Sequence, residues 1–424
     1  MFNLIPVLFG ENDLMKNLII LTTLFATTTL NILEGSEEGT KQRPLPEEMG
    51  TFDVIPAGED GGKEPPVLFP ELEGEMAREE KAAYEPIEED AEKSAEEKSR
   101  LEAMINEYVE FGGAIEMEYS WAKEFDNSSS SDIALETAEL DFEISLTDWD
   151  VCELALEWDP DDDKFTVKEA FVTFGNLDCF PWFLQTGRVF VPFGISTGAV
   201  VGDTLTITDP LTIEIFETRE DVLLIGYERY GLHASAYVFN GDTNSGGGND
   251  HIEHYGGTIR YGKEFCNMSY GVGIDYLSSI FDSDSLTEEF PEALEARYAP
   301  GIALHGRLFL NGFSLILEYN GALRSVKFME DDEDLKLAPQ AWQVELGYST
   351  KICCKDTYFS LNYSESHDLE GIFPRRRFLA NIGIWFYDSI LLGFEYGHDV
   401  DYSESHGGTG NTADFLISQL TYEW

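Results

Sequence analysis

The chain has 424 residues, a formal charge of −54 and an aromatic content of 13%. A polyanion of this density repels phosphate, which excludes nucleic-acid partners and a basic-patch hold on anionic lipid. Five cysteines, an odd number in so long a chain, exclude a small disulfide-framed scaffold.

At the start, Met15-Lys16-Asn17 leads into LIILTTLFATTTLNIL, a charged head followed by an apolar run of signal-peptide length. Residues 1–35 therefore read as a signal peptide with its true start at Met15, cleaved between Ala26 and Ser36. Residues 36–107 are acidic, with proline-rich pieces (RPLPEE, KEPPVLFPELE) too polar to bury a core. From Glu88 to Tyr108 good helix formers with a sparse apolar stripe (Ala91, Ala95, Leu101, Ile105) predict a short periplasmic helix.

From Tyr108 the period changes to two. In VEFGGAIEMEYSW, Val109, Phe111, Ile115, Met117, Tyr119 and Trp121 share a face opposite Glu110, Glu116 and Glu118. TAELDFEISL sets Leu140, Phe142 and Ile144 against Glu139, Asp141 and Glu143. CNMSYGVGIDY, GIALHGRLFL and AWQVELGYS repeat the pattern, with Asp275, His305, Arg307 and Glu345 on the polar side. Alternation also suits a soluble sandwich, but strands of about ten residues match a tilted membrane crossing. Connections alternate between very short (TDWD, GKEF, NG, YD) and long polar ones, and the chain stops on LISQLTYEW, which resembles the C-terminal signal of bacterial outer-membrane proteins.

The fold class predicted is thus all-β, a transmembrane antiparallel barrel over 108–424 in the bacterial outer membrane, with the N-terminal segment in the periplasm. Crossings fall near 108–121, 132–146, 151–158, 165–174, 183–190, 221–229, 232–240, 252–261, 266–277, 301–310, 313–320, 340–350, 357–365, 375–386, 389–397 and 413–424, about sixteen in all. An even count lets such a barrel close. It leaves the third external loop, 191–221, as the longest segment outside the wall. That loop has three courses open to it: into the lumen, across the mouth, or upward as an extension of the wall.

TGRVFVPFG (Thr186 to Gly194), TDPLTIEIFETRED (Thr208 to Asp221), AYVFNGDTN (Ala236 to Asn244) and GHDVDYSESHGGTGNTAD near the C-terminus carry a family likeness. The region from Phe111 to Trp424 resembles the LbtU-type siderophore porins. The resemblance implies an outer-membrane barrel with a periplasmic helical segment that takes up ferric siderophore. It supplies no binding residues.

From the residues themselves, Arg188, Glu217 and Arg219, then Asp203 and Asp209, are the candidates for a pore constriction. A guanidinium beside a carboxylate either holds the loop to the wall or receives a ligand carboxylate. Glu116, Glu118, Glu139, Asp141, Glu143, Glu153, Glu157, His305, Arg307 and Glu345 are expected to line the lumen. Their acidity favours cations, in tension with an anionic siderophore. A general cation-preferring porin is therefore the alternative to siderophore uptake, both by passive or facilitated diffusion. Arg375, Arg376 and Arg377 form a basic cluster expected at the external rim, to capture an anionic solute or to meet lipopolysaccharide phosphates.

DPDDDK (Asp159 to Lys164) lacks the glycine and terminal glutamate of a calcium loop, and His251 with His254 has no evident third ligand, so no metal site is predicted. No nucleophile constellation and no phosphate-binding loop occur, so neither enzyme activity nor a cofactor is expected. Cys152, Cys179, Cys266, Cys353 and Cys354 all map to the periplasmic rim. An odd number points to a bond with a homo-oligomer partner or an envelope neighbour, and that third reading makes the protein a cross-linked structural element. Free or locally paired thiols stay open beside it.

Overall fold

The computed structural model describes residues 108–159, 164–195, 204–243, 251–291, 293, 298–330, 333–369 and 371–424. The expected signal peptide, acidic segment and helix lie outside the described residues, as do most of the DPDDDK stretch and Asp203.

Eighteen strands follow in order: β1 Val109–Lys123, β2 Ser129–Thr147, β3 Asp150–Asp159, β4 Lys164–Phe174, β5 Trp182–Phe190, β6 Arg219–Arg229, β7 Leu232–Phe239, β8 His254–Phe265, β9 Met268–Leu277, β10 Gly301–Leu310, β11 Phe313–Ala322, β12 Val326–Glu330, β13 Glu333–Leu337, β14 Gln340–Ile352, β15 Lys355–His367, β16 Arg376–Tyr387, β17 Ile390–Val400 and β18 Thr412–Glu423. Sixteen of them close into one antiparallel barrel, each paired with its neighbours and β1 paired with β18, while β12 and β13 form a separate hairpin. Closure leaves no free sheet edge. The sixteen crossings match those predicted from parity; the β12–β13 hairpin was not anticipated, since it lies in a connection too polar to read as wall.

The alternation sorts the faces. Phe111 is 55% exposed and Ile115, Met117, Tyr119 and Trp121 are exposed with it, whereas Glu116 is 6% exposed and points inward. Aliphatic side chains (Ile225, Ile259, Ile274, Leu346, Leu361) form the middle of the outer surface. Outward aromatic pairs mark the end with short turns (Phe111–Phe142, Trp182–Tyr227, Phe313–Tyr348) and the end with long loops (Trp158–Phe165, Tyr255–Tyr276, Tyr363–Phe378). An apolar belt of this extent would aggregate in water, and matches a bilayer with aromatic side chains at both interfaces.

Two strands change phase along their length. The pairing of β1 with β2 shifts between Glu116 and Met117, and Glu136 has no partner of its own, so Ile133 and Leu135 face outward before the bulge and Leu140 and Phe142 after it. In β4 the same device falls at Lys168: Phe165 and Val167 face outward ahead of it and Phe174 beyond it.

At the seam, Trp424 adds to the β1–β18 ladder. The Trp424 amide donates to the Gly113 carbonyl at 3.2 Å, and its indole lies where a Gly113 side chain would stand, 2.6 Å from the ideal Cβ position. Gly113→Val is expected to dislodge the indole and cost about 2 kcal/mol in barrel stability through overpacking. Heat-modifiable migration in electrophoresis, with the transition moved to lower temperature, checks it.

The inner face is not polar throughout. Val189, Val222, Leu224, Tyr237 and Phe239 point into the barrel and are buried there. They pack against Val191, Phe193, Leu211, Ile215 and Phe216 of the third long loop and against Ile280, Phe281, Leu286 and Phe290 of the loop between β9 and β10. Phe328 of the hairpin closes the cluster, 6.2 Å from Phe281 and 6.0 Å from Phe290 between ring centres. The β9–β10 loop, expected as a polar external excursion, thus supplies part of an apolar core inside the mouth. Its phenylalanines and leucine fold inward because burial at about 25 cal/mol per Å² outweighs the ordering of a few residues.

Candidate functional site

The described parts of the third long loop, 191–195 and 204–218, sit within the barrel, and inward carboxylates of the far wall hold them by their backbone. The Gly194 amide donates to Asp275 of β9 at 2.8 Å and the Ile195 amide to Glu318 of β11 at 2.5 Å. Leu205 donates to Glu345 of β14 at 2.9 Å, and Ile207 and Thr208 donate to the two oxygens of Glu395 on β17 at 2.8 and 2.9 Å. The Thr212 hydroxyl reaches Glu318 at 2.6 Å, and Ser360 and Asn381 donate to the Leu205 carbonyl at 2.7 and 2.6 Å. Each amide–carboxylate bond is charge-assisted and worth roughly 1.5–3 kcal/mol. One helical turn, Leu211–Phe216, begins after Pro210 and buries Leu211, Ile213, Ile215 and Phe216.

Arg377 fastens that turn from β16. Its guanidinium grips Asp399 at 3.0 Å through Nε and again through Nη2, donates to the Asp209 carbonyl at 2.9 Å and meets the Glu214 carboxylate. Glu214 and Asp399 sandwich the buried cation, so its charge is compensated at both ends. Asp209 lies half-buried beside it. Burial, then Glu217 and Glu214, push the Asp209 carboxyl up to about 7 against the pull of Arg377. Its unfolded value is near 3.9. The seated loop therefore binds more protons than the released one between these values, and its stability falls as pH rises through that window. Open-channel current is expected to be quieter at pH 6 than at pH 8, with Asp209→Asn removing the difference.

The other wall carries a different surface. Glu116 and Glu118 of β1, Glu139, Asp141 and Glu143 of β2, and Glu153 and Glu157 of β3 share the inward series of three adjacent strands. Glu139 stands opposite Glu157 and Glu143 opposite Glu153. Lys168, turned inward by the β4 bulge, bonds Glu139 at 2.6 Å and lies 3.8 Å from Glu157. Across the barrel, His305 Nε2 is 3.1 Å and Arg260 Nη2 3.4 Å from Asp275, and Arg307 follows two residues below His305 on the same inward series.

The candidate constriction residues do not meet at one point. Arg188 follows Trp182 and Leu184 in the outward series of β5, is itself 45% exposed, and pairs with Asp221 at 3.1 Å. It belongs to the outer rim and not to the constriction, because an unbroken period of two fixes its direction. Arg219 donates its amide to Asp284 at 3.2 Å and holds its guanidinium Nε 3.7 Å from the same carboxylate, while the Glu217 carbonyl accepts from the Asp284 amide at 3.0 Å. Arg188, Arg219, Glu220, Asp242, Asp282 and Asp284 line a rim cleft of about 320 Å³. Of the five candidates, Asp209 and Glu217 lie at the seat of the loop, close enough for Glu217 to act on the Asp209 carboxyl, and Asp203 is outside the described residues. The expected basic cluster is also divided: Arg375 and Arg376 stay at the rim, 3.9 and 3.3 Å from Glu365, whereas Arg377 turns inward.

His251 is exposed, but His254 is buried with Nδ1 2.9 Å from Asp282 and Nε2 2.8 Å from the Thr243 carbonyl. Nδ1 also lies 3.2 Å from the Ser278 hydroxyl, so both ring nitrogens are already engaged by protein groups. Among the described residues no cluster of His, Cys, Asp or Glu is arranged to hold a metal ion.

No family model matches the chain. It is 28% identical over 323 residues to a UPF0422 protein of Coxiella burnetii, covering 71% of this chain and 66% of that protein. A UPF0422 protein of Legionella pneumophila is 24% identical over 352 residues, 69% of this chain and 62% of its own length. The chain thus spans slightly less than two-thirds of the length of these relatives. Among solved structures, an anion-selective porin from Comamonas acidovorans superposes with a TM-score of 0.51 at 11% identity, over 74% of this chain and 99% of that one. Salmonella typhi OmpF gives 0.51 at 13% identity over 74% and 97%, and the Acinetobacter baumannii outer-membrane channel DcaP gives 0.50 at 12% over 74% and 97%. At these identities the likeness is one of fold: a closed antiparallel barrel of the porin type.

Proposed function

We propose that the protein is an outer-membrane porin that admits small solutes by passive diffusion and prefers cations. The end with the short turns then faces the periplasm and the end with the long loops faces outside. One observation carries the reading: with a loop seated inside the closed barrel, the inward acidic strip of β1–β3 keeps Glu143 and Glu153 exposed and Glu118, Asp141 and Glu157 half-buried, while Glu116 and Glu139 are buried. The far wall's carboxylates are already engaged by loop amides, so the preference rests on the strip. Planar-bilayer recording of the refolded protein under a potassium chloride gradient tests this. A reversal potential of cation-selective sign supports it, and absence of conductance sinks it.

The finer reading, uptake of ferric siderophore, is supported by the resemblance in the loop motifs and by Arg375, Arg376 and the rim cleft with its two arginines. Addition of a ferric siderophore on the loop side is expected to block current if that solute enters. A current indifferent to siderophore leaves the general porin alone.

A further inference from the structure

All five cysteines lie at one end of the barrel. Cys152 opens β3 after the β2–β3 turn, Cys179 sits in the β4–β5 turn, Cys266 in the β8–β9 turn, and Cys353 with Cys354 makes the β14–β15 turn. None is bonded within the chain, and Cys179, Cys266, Cys353 and Cys354 are exposed.

Barrel geometry limits their choice of partner. Adjacent strands stand about 4.8 Å apart, and a disulfide needs Cα atoms within roughly 6.8 Å. Four strands separate the Cys179 turn from the Cys266 turn, and four separate the latter from the Cys353–Cys354 turn, so each gap is roughly 19 Å along the wall. Cys152 and Cys179 are two strands apart, the nearest pair apart from the adjacent cysteines. Adjacent Cα atoms across a trans peptide lie about 3.8 Å apart, short of the usual disulfide range, which disfavours a Cys353–Cys354 bond.

The Cys353–Cys354 turn is also costly for its backbone. Cys353 and Cys354 have φ of 52° and 63°, the left-handed pair of a type I′ hairpin turn. The equivalent turns Tyr230-Gly231 and Asn311-Gly312 place glycine second. A Cβ in that position is disfavoured, so the turn's conformation does not account for two thiols there.

We propose that this rim is a covalent docking surface for further copies of the same chain, bonded through Cys266 and the Cys353–Cys354 turn. The inference rests on the outer-membrane reading, which puts the rim in an oxidising compartment. Side-by-side copies in one bilayer carry their thiols at one depth, so cysteines of neighbours meet in a common plane. The sites are spread around the circumference, which lets one barrel bond to more than one neighbour and build an open network. Each bond joins two thiols as S–S and releases two protons, and the two electrons pass by thiol–disulfide exchange to a disulfide-bearing periplasmic oxidant, which becomes a dithiol.

Intact cells are treated with a membrane-permeant alkylating agent, and their outer membranes are then isolated and run on electrophoresis without reductant. A ladder at multiples of the protomer mass, collapsing to monomer with reductant, is the expected result. Cys353→Asn with Cys354→Gly installs the turn's favoured sequence, so the barrel keeps its heat-modifiable migration while higher multiples are lost. Adding Cys266→Ser reduces the ladder to monomer. Monomer alone in the native protein overturns the proposal, and so do bands at masses that are not multiples, which assign the thiols to a different protein. Failure to find the chain in the outer-membrane fraction overturns the porin reading instead, and conductance of the reduced protein distinguishes the two failures.

Discussion

Arg377→Met is expected to release the Leu211–Phe216 end of the third long loop from the barrel wall without unfolding the barrel. Arg377 ties the carbonyl of Asp209 and the carboxylates of Glu214 and Asp399 at one point. Removing it leaves two partly or fully buried carboxylates facing each other without a cation, a loss of about 3–5 kcal/mol for a pair broken on one side. Arg377 joins the barrel ladder through its backbone, opposite Ser364 and Asp399, and the substitution changes only its side chain, so heat-modifiable migration should survive. The loop has its other anchors on Asp275, Glu318, Glu345 and Glu395. Only the Leu211–Phe216 end should therefore loosen. Single-channel conductance is expected to rise and flicker, and chymotrypsin should gain access to Phe216, buried in the native state. Adding Asp399→Asn to the variant removes one stranded charge and should restore part of the protection. An unchanged conductance together with an uncut loop would show that the clamp does not hold the constriction.

The wall was legible because its physics is local. Each strand declares its two faces within ten residues, and the loop-length asymmetry orders them without any long-range information. Where the period slips, the signal was still present. Phe165 and Val167 are apolar at odd positions, and Val172 and Phe174 continue the same outer face at even positions, which is how a bulge at Lys168 writes itself in sequence. Reading through that slip hid Lys168, the cation within the acidic strip. The interior was less legible for a different reason. Asp275, Glu318 and Glu395 are isolated carboxylates on otherwise small or neutral inward faces, and their role depends on a loop brought from up to 188 residues away. Arg377 looked like a third member of an exposed cluster because one step along a strand reverses the side chain's direction, and a run of three arginines conceals that reversal. The β9–β10 loop misled through composition: its acids advertise solvent, and four apolar residues spaced among them make the inner core.

Neutralising three carboxylates of the open strip is the sharpest test of what that strip is for. In Glu118→Gln with Asp141→Asn and Glu153→Gln, the residues changed have no Lys168 salt bridge. Glu143 and Glu153 face each other directly across β2 and β3, and Glu139 likewise faces Glu157. Like charges so placed destabilise a sheet by roughly 0.2–1 kcal/mol per pair. If the carboxylates served the fold, removing them would weaken it; on the electrostatic argument the triple variant should melt no lower than the native barrel and somewhat higher. Its ion selectivity should move the other way. The strip's charges lie within about one Debye length of a permeating ion at 0.1 M salt, so they set the local cation excess. Their loss is expected to bring the cation-to-anion permeability ratio down towards one, read as a reversal potential close to zero in a potassium chloride gradient. Lys168→Met should shift the same potential in the opposite direction, because it uncovers the charges of Glu139 and Glu157. A triple variant that keeps its full reversal potential places the selectivity elsewhere in the lumen, and one that loses stability makes the strip a structural element.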